Sequence, residues 1–126
     1  MELAPGQLWS IKSPSPTTIK VIVGEIEPWR DRTAVLVSII DIPVPEGWPG
    51  GTRTTSVGCI PFDESALVAS LDQLLATDAT PLPSFKLGLQ QWSDTDGGVF
   101  TVTVSEIIGH MVEKVSQDPN RTPESP

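Results

Sequence analysis

Cys59 and His110 are the side chains in this sequence best suited to nucleophilic or acid–base chemistry, and each is the only residue of its type. A cysteine attacks as its thiolate, which forms near neutral pH when a histidine, a cation or a helix N-terminus lowers the thiol pKa. Cys59 lies in a strand-like stretch, Gly58-Cys59-Ile60, just ahead of a helical one, and His110 lies beside Met111 in the last helical stretch. A Cys59–His110 dyad therefore requires that last helix to pack across the end of the strand carrying the thiol. The plainer reading makes Cys59 a small buried hydrophobe and His110 a partly exposed helix residue with a modest charge change near neutrality. A protein zinc site needs three or four ligands, which one histidine and one cysteine do not supply. The sequence also lacks a phosphate loop, a dinucleotide fingerprint and a His-Glu-x-x-His helix. The expectation is a chain without catalytic residues, metal or cofactor, leaving Cys59 and His110 as the weak catalytic candidates.

Carboxylates offer two further patterns. Glu25 and Glu27 share one face of a strand at about 7 Å, a spacing that permits acid–base work, although nothing in the sequence marks either as buried. Asp94-Thr95-Asp96-Gly97-Gly98 looks like part of a calcium loop. Counted from Asp94, its fifth position falls on Gly98 and its twelfth on Ser105, where a bidentate glutamate belongs, so helix termination explains it better.

The tryptophans point to binding. Trp9 and Trp92 fall on apolar patterns and read as core, whereas Trp29 and Trp48 stand in proline-bounded turns. Trp and Arg are enriched at interaction hot spots, which nominates Trp29, Arg30 and Trp48 as binding residues. The alternative is that these indoles cover the ends of the sheet. The two turns flank one strand, so their bases lie roughly 30 Å apart and cannot share a pocket unless the longer loop folds back.

The elements that must position these groups follow from periodicity. Gln7 to Lys12 reads as a first strand, broken by Ser13-Pro14-Ser15-Pro16. Thr18 to Glu27 alternates Ile19, Val21 and Val23 on one face, and Thr33 to Asp41 is apolar on both faces, the mark of a covered central strand. After a proline- and glycine-rich loop, Thr52 to Ile60 is threonine-rich and belongs near an edge. Asp63 is a candidate helix cap, and Leu67, Leu71, Leu74 and Leu75 predict a helical stripe ending near Thr77. Ser84 is placed to cap a short helix with Phe85, Leu89 and Trp92 inward. Val99 to Val104 alternates strictly and predicts a fifth strand with Phe100, Val102 and Val104 on the core. Thr103 and Glu106 have capping-box spacing, with Ser105 as a rival cap, ahead of a closing helix striped by Ile107, Ile108, Met111, Val112 and Val115.

The predicted order is β-β-β-β-α-α-β-α, an α+β fold with a small, strongly bent antiparallel sheet, two helices inserted before the last strand and a C-terminal helix. Over residues 5–104 this strand order resembles an SH3-like barrel, with its helical turn enlarged to two helices. The resemblance is architectural, because a chain without tyrosine lacks the aromatic peptide-binding signature of signalling SH3 domains. Residues 1–115 read as one domain and 116–126 as a flexible tail.

Net charge is −8, with Asp and Glu numbering 16 against 8 Lys and Arg. Residues 1–61 carry six acids and five bases, whereas residues 62–126 carry ten acids and three bases. Nucleic-acid binding is disfavoured without clustered bases, and a basic protein partner is favoured by electrostatic steering. The opening residues lack a basic stretch followed by an apolar one, so no signal peptide is expected, nor any membrane role. A lone cysteine suits a reducing compartment, making the cytoplasm the expected location. The leading expectation is a non-catalytic binding or regulatory module acting through protein contacts, in one version an acidic inhibitor or immunity-type protein. The alternatives are a small enzyme using Cys59 and His110, and a small-molecule carrier with a pocket between sheet and helices. The threonine-rich strand also offers an edge for a homodimer.

Overall fold

The computed structural model describes residues 3–12, 17–43, 54–95 and 97–117, the last seven of these as helical backbone. Five strands and three helices follow in the order β1 (Leu8–Ile11), β2 (Lys20–Trp29), β3 (Arg32–Pro43), β4 (Thr54–Asp63), α1 (Glu64–Ser70), β5 (Leu71–Ala76), α2 (Phe85–Asp94) and α3 (Val104–Gln117). The fold is α+β, and its one sheet is antiparallel throughout, with strand order β4-β3-β2-β1-β5.

β3 bears out its sequence pattern. Val35, Val37 and Ile39 enter a large core with Leu67 of α1 and Val104, Ile107 and Ile108 of α3. Ala34 and Leu36, alternating with them, enter a smaller core with Phe85 of α2. One strand thus supplies two apolar faces because helices cover the sheet from both sides. The smaller core depends on close approach: the Phe85 ring fills the space a side chain at Gly24 would need, and a Cβ at Gly88 would stand 2.6 Å from the Cβ of Cys59. The threonine-rich β4 is an edge strand, as its composition implies.

Three expectations are corrected. The sheet does not close on itself, so an open sheet with two edges replaces the SH3-like barrel. The helix expected to end near Thr77 stops at Ser70, and its second half becomes β5. Ser70 marks the switch: its hydroxyl donates to Ala66 O at 2.9 Å and accepts from Val104 N at 3.0 Å, while its carbonyl accepts from Lys12 N at 2.8 Å. An unbroken helix would leave one side of β1 without hydrogen-bond partners, and satisfying those backbone groups outweighs the leucine stripe. Leu67 and Leu71 remain in the core, but Leu74 and Leu75 do not.

The strand expected at 99–104 shrinks to a single parallel bridge between Phe100 and Phe62. Thr103 instead opens α3 through the expected capping box: its hydroxyl accepts from Glu106 N at 3.2 Å and donates to the Glu106 carboxylate at 3.1 Å. The observed order is therefore β-β-β-β-α-β-α-α, with α3 running to Gln117. Asp63 and Ser84 occupy the cap positions of α1 and α2, yet neither side chain caps its helix; Asp63 pairs with Arg32 at 3.2 Å.

Candidate functional site

Cys59 and His110 are held on different sides of the sheet. Cys59 packs in the smaller core beneath α2, whereas α3, which carries the exposed His110, covers the larger one. Burial pushes the Cys59 thiol up to about 11, so it is protonated at neutral pH. The two residues form no dyad, and the thiol lacks the electropositive surroundings a nucleophile needs.

The remaining acidic patterns are also dispersed. Glu25 and Glu27 of β2 share a hydrogen bond, and the Glu25 carboxyl titrates above its ordinary range through partial burial, that bond and the charge of Glu27. Asp94 ends α2 and accepts from Gln90 Nε2 at 3.0 Å, while Asp96 lies outside the described residues. No group of three His, Cys, Asp or Glu residues converges to hold a metal ion among the described residues.

The β2–β3 hairpin tip is built as a brace. Trp29 and Arg32 form its last pair, leaving Arg30 and Asp31 as a two-residue loop, with Arg30 at φ 57°, a position that favours glycine. Trp29 packs partly into the smaller core, and its indole N–H donates to Gly97 O at 3.0 Å. Trp92 of α2 donates in the same way to Gly98 O at 3.0 Å. The Arg30 guanidinium lies 4.5 Å from the centre of the Trp29 ring, a cation–π stack that occupies both side chains with each other. Trp29 remains half-buried and Arg30 exposed. Trp48 lies outside the described residues.

The segment these indoles hold leads to the β4 edge. Phe100 N donates to Pro61 O and Asp63 N donates to Phe100 O, both at 2.9 Å, so the C-terminal end of β4 is occupied. The opposite edge differs. β5 pairs with β1 on one side, and no strand lies against its other side among the described residues. It presents Leu74 at 45% and Leu75 at 46% exposure, with Asp72 and Gln73 also exposed. Two register shifts, between Leu8 and Trp9 and between Trp9 and Ile11, give β5 an extra residue each time. Bulges of this kind increase local twist. Ser10 closes the gap they open, its hydroxyl accepting from Gln73 N at 3.0 Å.

Sequence patterning missed this edge because Leu74 and Leu75 complete a helical stripe as well as they sit on a bulged strand. The available signal was topological: a meander of four strands leaves its first strand needing a neighbour. Comparison of the chain with protein-family profiles, with curated proteins and with solved structures gives no match. No helix among the described residues is long and apolar enough to cross a membrane.

Proposed function

We propose that the protein is a non-catalytic binding module that engages a protein partner through the open edge of its sheet at β5. The observation that carries this reading is the exposure of Leu74 and Leu75 on a strand whose second side faces no other strand among the described residues. An edge of this kind offers backbone donors and acceptors for strand addition, with apolar side chains beside them to add affinity. A protonated thiol beneath α2 and an imidazole on another face support no catalytic role. The reading places the protein in the cytoplasm, where a lone thiol remains reduced.

Leu87 provides an internal control, because it is exposed at 63% but stands on α2, which packs over β3 and β4 and not on β5. A photo-crosslinking benzophenone amino acid is placed at position 75 and, separately, at position 87, and the protein is irradiated in its native host. A discrete adduct from position 75 with none from position 87 supports recognition at β5. Equal labelling at both positions, or none at either, rejects it.

A further inference from the structure

Resting on the reading of β5 as the recognition edge, we propose that its occupant is an extended segment of a basic partner protein. This segment adds as a sixth strand, with apolar side chains over Leu74 and Leu75 and Lys or Arg side chains facing Asp72 and Asp78. Charge selects this occupant. The sequence has no basic residue between Arg53 and Lys86, a stretch that includes all of β4, α1 and β5. Of its four acids, Asp63 is neutralised by Arg32, whereas Asp72 and Asp78 are exposed and form no ion pair among the described residues.

Among the described residues, Lys20 pairs with Asp41 at 3.2 Å, and Arg30 lies over Trp29. Lys12 stands at the Leu71 end of the strand, where its amide bonds Ser70 O. The partner's basic groups therefore belong along the strand toward Asp78, with apolar groups between them.

A second copy of this chain fits the edge less well. It would bring another −8 of charge against the first. The bulges also twist β5 away from the plane that a second folded sheet must continue, whereas a single flexible segment follows that twist.

The test uses the full chain and two blocked synthetic peptides of the same length as β5, one alternating valine with lysine and one alternating valine with glutamate. Backbone amide shifts are followed by NMR, alongside sedimentation of the protein alone. The valine–lysine peptide is expected to move the amides of 71–76, to bind at least tenfold more tightly than the valine–glutamate peptide, and to weaken as salt is raised. The double variant D72K/D78K is expected to reverse that preference. Equal binding of both peptides at β5 overturns the basic occupant and leaves the edge reading standing. No shift at β5 with either peptide overturns both. A concentration-dependent dimer of the protein alone, abolished by Leu74→Asp, makes the occupant a second copy and overturns the proposal. The peptide comparison uses the unaltered chain, so it decides the matter even where a variant does not fold.

Discussion

At one side of the sheet, β4 presents Thr54, Thr55 and Ser56 and carries Pro61, whose carbonyl is taken by Phe100; at the other, β5 presents Leu74 and Leu75 to solvent. Both are edge strands of one antiparallel sheet, and an edge is a standing invitation to pair with another chain. β4 declines that invitation by polar composition, by a proline that offers no N–H, and by a segment pinned through the Trp29 and Trp92 indoles. β5 has twist and the single charge of Asp72 in its defence. The two edges thus differ: one carries several independent devices, and the other leaves leucines exposed.

The difference depends on Ser70, which turns the helix into β5 and ties it to α3. Ser70→Ala removes the acceptor of a buried amide, that of Val104, and should destabilise the fold by about 1–3 kcal/mol. Urea unfolding measures the loss. Hydrogen exchange should quicken at residues 71–76 and remain slow at Phe100 and Asp63. If instead both edges loosen together, they are not independent units and the contrast between them fails.

The complementary change acts on the other edge. Trp29→Phe keeps the ring beneath Arg30 but removes the indole donor to Gly97 O, a partly buried hydrogen bond worth about 0.5–1.5 kcal/mol. Exchange at the Phe100 and Asp63 amides should accelerate while β5 keeps its protection. Unchanged exchange at Phe100 would show that the β4 edge is held by Trp92 and backbone bonding without help from the hairpin.

The parts of the fold legible in the sequence are those in which local pattern and tertiary environment agree. β3, with Val35, Val37 and Ile39 against Leu36, announces a strand covered on both faces, and Thr103 with Glu106 announces the start of α3. The parts that were not legible are those in which one pattern serves two structures. Leu67, Leu71, Leu74 and Leu75 repeat as a helix, but hydrogen-bond demand along β1 converts the last two into strand residues. Phe100, Val102 and Val104 alternate as a strand, yet the segment keeps a single bridge, Phe100 to Phe62, and Val104 reaches the core from a helix. The candidate site inherits that ambiguity. Trp29 and Arg30 have hot-spot composition, with the Trp29 indole tied to Gly97 O and Arg30 exposed over its ring, whereas the exposed apolar pair lies on the segment whose pattern reads as helix.

Leu74→Lys separates exposure from structure on β5. A half-exposed leucine outside the special positions of a core contributes little to folding, so stability should change by no more than about 0.5 kcal/mol. Binding of the valine–lysine peptide, read from the amide shifts of β5, should nevertheless be lost. A drop of several kcal/mol would make Leu74 part of the core and remove the basis for treating this edge as open.

The smallest effect concerns how the same side of the sheet is guarded beyond β5. Pairing of β1 with β2 ends at Leu8 and Ile22, and Gln7 and Gly6 carry the backbone bonds only to Val23. Further along, Glu25 and Glu27 stand on a stretch of β2 that pairs with β3 alone among the described residues. Carboxylates at a bare edge repel another strand, which makes this stretch a charge-guarded neighbour of the unguarded β5. The guard has a cost, because the folded chain binds a proton at Glu25 more tightly than the unfolded chain does. Folding is therefore favoured at low pH, where Glu25 is protonated in both states, and loses that contribution as pH rises through its elevated pKa. Glu25→Gln removes a partly desolvated charge and its repulsion by Glu27, so it should stabilise the protein at neutral pH by a few tenths of a kcal/mol, about the scale of an exposed charge interaction. The gain should vanish toward acid pH, where the native carboxyl is neutral. Urea midpoints measured for both proteins at acid and neutral pH give the comparison, and an advantage independent of pH would mean that the charge of Glu25 is not what costs the fold stability.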